Sequence, residues 1–533
     1  MPTPQEEARA WAARMAHAKI YVGAAAGLPS SAATRILRRE RVLADALDGA
    51  AWVIRTPGDE PDEGIRLRVY WPLVRLLTTQ YAPAALDRLA AVRALVGDET
   101  PRESLVVRHG GNQSERTYRL APGHELSLVP MPADVAPDVA GLPGTSAAPR
   151  MVTIGGIELS VTAAGWLLQA LTLGDLRGNL PLVGTWLRGL AVGRAELERV
   201  YQAVGRPVLF ARIGHLAREA GNSELADRID HTLHDLGANG PSPSKTGRDS
   251  LRLPLTVVSA PRTSAPWLDR FAELFGRGAG QLSAGRVGRS RAEPLPHNDI
   301  LVVARAAKRE DTYHSTTIEG YRVSREEVDA ILGGTPTGSG QTPDEVQRLM
   351  ALKGYAMAFD KTLGLLPVRG GPVVISEALI HDLYAELWWP SIDAGIVQAS
   401  DLRSWRVRPA FIRNSLHVPP GPEKLAGLMA LYCRLVNGLE APPVVRAAMA
   451  HWAFETIHPY PDGNGRLGRL LMNLLLGAEG QPWVTIVADE RDEYFAALQR
   501  AQVREEFLPW GRFLTRRAGR ARKSAVKLLT APG

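Results

Sequence analysis

Apolar positions change rhythm part-way along the chain. Between about residues 70 and 235, helical and alternating spacings mix. YWPLVRLLTTQY and LDRLAAVRALVG place apolar residues on one helical face, while SLVVRHG, RTYRL and ELSLVP alternate as strands do. MVTIGGIELSV then reads as a strand pair leading into the helix AAGWLLQAL, and RPVLFARIGHLAREAGNSELADRIDHTL follows as helix. Beyond residue 266 the spacing is mostly helical, as in PPVVRAAMAHWAFETI and RLGRLLMNLLL. Two stretches lack any period: residues 131–149, rich in Pro, Gly and Ala, and residues 237–250, GANGPSPSKTGRDS. The second is the chief boundary. The pattern predicts a multi-domain chain: residues 1–60, residues 61–236 with mixed strand and helix, a linker over 237–265, and a helical region over 266–533.

Near the N-terminus a short amphipathic helix in EEARAWAARMAH precedes a turn at Pro29 and Ser30. Ser31 is then expected to cap a helix through Arg39, and Asp48–Gly49 to turn between VLADAL and AAWVI. That order is the order of a winged helix-turn-helix, with Thr34, Arg35, Arg38 and Arg39 as candidate DNA contacts. A small structural helical unit with a solvated arginine face fits the same residues. The N-terminal region is therefore expected to be α+β and to begin with a winged helix-turn-helix.

The 533 residues are 45% hydrophobic and 22% charged, enough to bury sizeable cores. The net charge of +7 is spread over the whole length, so it is no nucleic-acid footprint by itself. The one cysteine, Cys433, excludes an intrachain disulfide and an all-cysteine zinc cage. With acidic residues where a signal peptide needs basic ones, and no apolar run of about 18 residues, a cytoplasmic protein without membrane attachment is expected. GPSPSKT in the linker lacks the glycine before Lys245 and a preceding strand that a phosphate-binding loop needs.

The stretch that carries chemistry is HPYPDGNGR, between two predicted helices. Gly463 and Gly465 around Asn464 let consecutive backbone N–H groups turn inward as an anion nest, which opens onto a helix N-terminus. Arg466, Arg469 and Asn473 recur at i, i+3 and i+7 on one helix face, and two of them bring permanent positive charge to a polyphosphate. Asp462 is placed to hold a divalent metal that bridges phosphate oxygens. His458, just ahead of the nest, is a candidate general base toward an attacking hydroxyl.

HPYPDGNGRLGR resembles the Fic (Fido-domain) motif HPFxDGNGRxxR, with Tyr460 in place of phenylalanine. The resemblance extends over about residues 266–510 and implies an all-α Fic core with a β-hairpin flap. The implied activity is transfer of AMP from ATP to a protein hydroxyl with Mg²⁺. The implied roles are His458 as base, Asp462 through the metal, Gly463, Asn464, Gly465, Arg466 and Arg469 on the phosphates, and Asn473 near the nucleotide. Gly465, kept where kinase-like relatives carry a bulkier residue, favours adenylyl over phosphoryl transfer. SWRVRPAFIRNSLHVPP, turning at Arg413–Asn414, suits the flap, and the target protein is expected to dock on residues 407–418. Tyr494 in RDEYFAALQRA is a candidate for the adenine pocket or for core packing. Upstream, Ser315, Glu319 and Gly320 fit the family's inhibitory motif [ST]xxxE[GN], with Ser315 expected to cap a single turn and Glu319 to reach Arg469. Residues 20–235 are similar, at the level of pattern, to AbiE-type antitoxin regulators, which implies a regulatory domain over 61–236 and autoregulation through DNA.

The rival function is a DNA-binding transcriptional regulator whose Fic core senses nucleotide. His451, Glu455 and His458, at i, i+4 and i+7, form a rival metal-ligand trio, although a zinc protease would place its glutamate beside the first histidine. His231 and His234 read as solvated, as does the basic run from Arg516, which could also contact nucleic acid. A homodimer, in which inhibition would act between protomers, is left open.

Overall fold

The computed structural model describes all residues except 1, 16–21, 55–68, 102–103, 112–113, 122, 133–134, 136, 143–148, 155–156, 238–252, 254–264, 289–292, 335–341, 369–371, 399–401, 403, 411, 413–414 and 532–533. It divides into two compact units, the first formed by Met1–Glu273 with Ala410–Gly421, the second by Leu274–Pro409 with Pro422–Gly533.

The first unit opens with helix α1 (Pro4–Met15), strand β1 (Val22–Ala24), helix α2 (Ser31–Arg39), β2 (Leu43–Ala46) and β3 (Ala51–Ile54). The three strands form an antiparallel sheet in the order β1-β3-β2. Trp52 of β3 organises this piece: its indole donates to Ala24 O at 2.7 Å, and its ring meets Trp11 of α1 edge-on at 4.9 Å. A side chain at Gly23 would strike that ring, its Cβ 2.3 Å away. Two expectations change here. Ser30 rather than Ser31 caps α2, accepting from Ala33 N. Thr34 is buried at 6% exposure and its hydroxyl donates to Pro29 O, so it is unavailable for a base or phosphate. Arg35 and Arg39 are exposed, and Arg38 is paired with Asp45 at 2.7 Å.

The larger sheet has the order β6-β7-β5-β4-β9-β8, from β4 (Ala84–Leu86), β5 (Ser104–His109), β6 (Arg116–Ala121), β7 (His124–Pro130), β8 (Arg150–Ile154) and β9 (Ile157–Val161). It is mixed, with β5 parallel to β7 and β4 parallel to β9. Asp87, at the end of β4 and fully buried, ties neighbouring elements together. It accepts from Arg108 Nε of β5 at 2.9 Å, Thr162 Oγ1 at 3.0 Å and Trp166 Nε1 at 2.9 Å.

The second unit is helical. At its centre the helices Pro443–Ile457 and Asn464–Ala478 are buried almost all round, as their apolar positions on every face require. Around them lie helices His297–Ile318, Pro343–Gly364, Glu377–Asp393, Leu425–Gly438, Arg491–Val503 and Leu508–Leu529. Gly354 allows close helix contact, because a Cβ there would sit 1.9 Å from Leu387 O. For the hairpin expected over 404–418, no strand occurs among the described residues, and the turn at Arg413–Asn414 lies outside them. Instead of pairing across a hairpin, Arg406 donates from its backbone N to Pro459 O and from Nε to His458 O. Further on, Val418 enters the first unit's core and Gly421 N donates to Glu99 Oε1. No described helix is long and apolar enough to cross a membrane.

Removing one partner of a buried ion pair strands the other charge. Asp87→Ala leaves Arg108, 6% exposed, without its carboxylate, and is expected to lower the unfolding free energy by about 3–5 kcal/mol in chemical denaturation.

Candidate functional site

The HPYPDGN loop leaves the Pro443–Ile457 helix through His458, which adopts the left-handed conformation (φ 50°, ψ 60°) and ends that helix with its N–H on Phe454 O. The next helix begins after Gly463, also left-handed at φ 82°. Asn464 sets the loop between them. Its Oδ1 accepts from Tyr460 N at 2.9 Å and its Nδ2 donates to Tyr460 O at 2.8 Å, a closed exchange wholly inside the protein. Tyr460 stacks on Tyr384 at 3.5 Å, and its hydroxyl is within 2.9 Å of His381 Nδ1. The phenol thus replaces a phenyl without leaving its oxygen unsatisfied.

Arg469 is 3% exposed and makes three hydrogen bonds: Nε to Ser315 Oγ at 2.7 Å, Nη2 to Ser315 O at 2.9 Å and Nη2 to Glu319 Oε1 at 2.8 Å. Burial is the largest single influence and works against its charge, but the Glu319 carboxylate together with Tyr494 and Tyr355 holds the guanidinium above its ordinary range. Glu319 lies against the nest glycine: a Cβ at Gly465 would be 2.3 Å from Glu319 Oε1. Ser315, expected to cap a single turn, sits inside the 22-residue helix His297–Ile318, and Glu319 follows as its C-terminal cap. The serine faces Arg469 because the helix continues through it. Gly320, at φ 94°, turns the chain away, and Ser324 with Glu327 forms the expected capping box of the next helix.

Arg466 is fully buried, its guanidinium carbon 5.1 Å from the Trp388 ring and 5.4 Å from that of Tyr321. Its Nε and Nη2 have no hydrogen-bond partner among the described residues. Asp462 is about half exposed; its Oδ1 accepts from Gly463 N at 2.6 Å, and Oδ2 lies 3.8 Å from Arg466 and 3.5 Å from the Tyr321 hydroxyl. A half-exposed carboxylate offers the hard oxygen donors that Mg²⁺ takes, so Asp462 is the residue here that would hold one.

Two expected nucleotide contacts are occupied by the protein. Asn473 donates to Arg469 O and Val484 O and accepts from Val484 N, so its amide ties backbone to backbone. Tyr494 is 1% exposed, packed against Trp510 and Phe513, with its hydroxyl 2.7 Å from His451 Nε2. His451 is buried and pushed down to about 3 by burial, so it stays neutral. Among the described residues no cluster of three or more His, Cys, Asp or Glu is arranged to hold a metal, which leaves the His451, Glu455, His458 trio without that role.

Residue-type reasoning missed several contributors. Arg406 holds the His458 carbonyl, Tyr321 and Trp388 flank Arg466, and Glu455 approaches His458, Oε2 to Nδ1 at 3.9 Å. In the sequence Glu455 reads only as a member of the rival metal-ligand trio, not as a partner of His458.

Comparison with known proteins bears on this geometry. Residues 375–476 match the Fic/DOC family. The chain is similar to Protein adenylyltransferase Fic of Aedes aegypti, 32% identical over 205 residues, 38% of this chain and 38% of that protein. The protein of the same name from Drosophila ananassae is 30% identical over 224 residues, 41% of this chain and 42% of its own length. The chain thus spans about two fifths of the curated relatives it matches. Among solved structures, a Fic domain containing signaling protein from Bacteroides thetaiotaomicron is 20% identical, covering 48% of this chain and 95% of that one with a TM-score of 0.36. Fic-1 from C. elegans is 18% identical, covering 67% and 94% with a TM-score of 0.37. The AbiE-type likeness of residues 20–235 gains no support from these matches. The chain carries a Fic/DOC-family domain at residues 375–476, which contain the HPYPDGNGRLGR loop.

Proposed function

We propose that this chain is a protein adenylyltransferase that moves AMP from ATP to a side-chain hydroxyl of a target protein, and that Glu319 restrains it. The observation that carries the reading is the buried Arg469–Glu319 pair lying against Gly465 in the same loop-and-helix unit as His458. The catalytic part is residues 266–533, with residues 1–236 as its regulatory part and 237–265 as the link.

In this mechanism His458 takes the proton of the target hydroxyl as its oxygen attacks the α-phosphorus, and pyrophosphate leaves. The nest amides at Gly463, Asn464 and Gly465 receive phosphate oxygens, and the helix that begins there adds its N-terminal dipole. Arg466 fits an anion: a fully buried guanidinium with two nitrogens lacking acceptors among the described residues. Asp462 would hold Mg²⁺, which supplies charge neutralisation on the phosphate oxygens. Arg469 would meet the terminal phosphates once Glu319 withdraws, because carboxylate and phosphate compete for the same planar donor.

Two outcomes test the reading with labelled ATP. His458→Ala is expected to lower AMP transfer about 10²–10⁴-fold while nucleotide binding by calorimetry persists; unchanged transfer would overturn the assignment of the base. A hydrogen bond between charged groups contributes about 1.5–3 kcal/mol, so Glu319→Gly is expected to raise self-labelling about 10- to 100-fold. Equal labelling of the two forms would remove the restraint.

A further inference from the structure

Glu455 lies one turn before His458 on the Pro443–Ile457 helix, and nothing in the reaction so far uses it. The residue is 8% exposed, and Oε1 has no hydrogen-bond partner among the described residues. A carboxyl left in that state costs about 1–3 kcal/mol, so packing alone does not explain a glutamate here. The neighbouring helix makes room for it: a Cβ at Gly468 would lie 2.3 Å from Glu455 Oε1 and 3.1 Å from His451 Nδ1. The other carboxyl oxygen, Oε2, is 3.9 Å from His458 Nδ1, a separation that small side-chain rotations bring to hydrogen-bond length in a substrate complex.

Resting on the reading of His458 as general base, we infer that Glu455 is its positioning residue. The Glu455 carboxylate accepts the Nδ1 proton, which turns that nitrogen inward and leaves the lone pair on Nε2 to take the proton of the target hydroxyl. Proton bookkeeping is closed: one proton stays on Nδ1 throughout, and the hydroxyl proton goes to Nε2.

The groups facing Glu455 are His451 and His458 on its own helix, Arg469 on the next, Glu319 after the His297–Ile318 helix, Tyr494 on the Arg491–Val503 helix and Tyr432 on the Leu425–Gly438 helix. Burial first, then the Glu319 carboxylate, push the Glu455 carboxyl up to about 8, against the pull of Arg469. His451 is neutral across this range, and burial raises Tyr432 and Tyr494, so none of these three titrates near 8. Below that pH Glu455 carries its own proton, which can instead be donated to Nδ1 and leaves only a weak neutral acceptor; above it, the carboxylate is a charged acceptor that favours the proton on Nδ1.

The test is ¹⁵N-histidine NMR on the full chain, with His458 assigned by its loss in His458→Ala. Expected in the unsubstituted protein is an Nδ1–H tautomer that develops through a step near pH 8. Glu455→Gln, whose amide oxygen accepts without titrating, should keep the Nδ1–H form and lose the step. Glu455→Leu should move His458 to the Nε2–H tautomer usual for free imidazole. Transfer turnover should rise about tenfold from pH 7 to 9 in the parent and stay flat in Glu455→Gln. Identical His458 resonances in the parent and Glu455→Gln across this range would overturn the proposal, even if the leucine variant failed to fold. Expected resonances without any AMP transfer would support the pairing and count against the transferase reading instead.

Discussion

A buried guanidinium must be given acceptors, and much of the second unit's arrangement follows from how Arg469 obtains them. Ser315 supplies a hydroxyl and a carbonyl, and Glu319 supplies a carboxylate. That requirement fixes the end of the His297–Ile318 helix against the glycine face of Asn464–Ala478. The end of that helix is secured a second time, by Arg491 Nε donating to Ile318 O and by Ala488 N donating to His314 Nδ1. Ser315 and Glu319 satisfy Nε and Nη2 of Arg469, while Nη1 has no hydrogen-bond partner among the described residues. Under the proposed function a phosphate reaching Arg469 would have to displace Glu319, and that competition is how a single glutamate would act as a restraint.

The loop beside it is held by a different logic. Its backbone is shaped by Asn464 from within and by Arg406 from outside, while Tyr460 anchors it in an aromatic stack with Tyr384. None of these contacts uses a group to which the proposed function gives a nucleotide contact. Shape and chemistry are divided between residues, so the amides of the nest are positioned before any ligand arrives, the arrangement that makes fixed dipoles effective.

Much of this was legible in the residues. The strands over 104–130 and 150–161, the two central helices and the glycine-bracketed loop follow from spacing and turn chemistry, which are local. The capping box of Ser324 and Glu327 was equally local. What escaped was decided at a distance. Ser315 reads as a cap because nothing nearby reveals that the helix runs through it to meet Arg469, 154 positions away. Asn473 sits on the same helix face as the two arginines, yet its amide is taken by Val484, across a turn that spacing does not register. Within 404–418 the alternation does not reveal that Arg406 meets the 458–459 loop, because backbone pairing is set by which partner a segment meets. Thr34 has a side chain suited to DNA and a burial that removes it.

The backbone of His458 carries one more consequence. A residue with a Cβ in the left-handed region sits about 1–2 kcal/mol above its relaxed state, and helix ends of this kind are the usual place for glycine. The position therefore asks for two different residues. Folding would be easier with no side chain there, whereas proton transfer needs an imidazole. If His458 is the base of the proposed function, this small loss of stability is what the site gives up to present it.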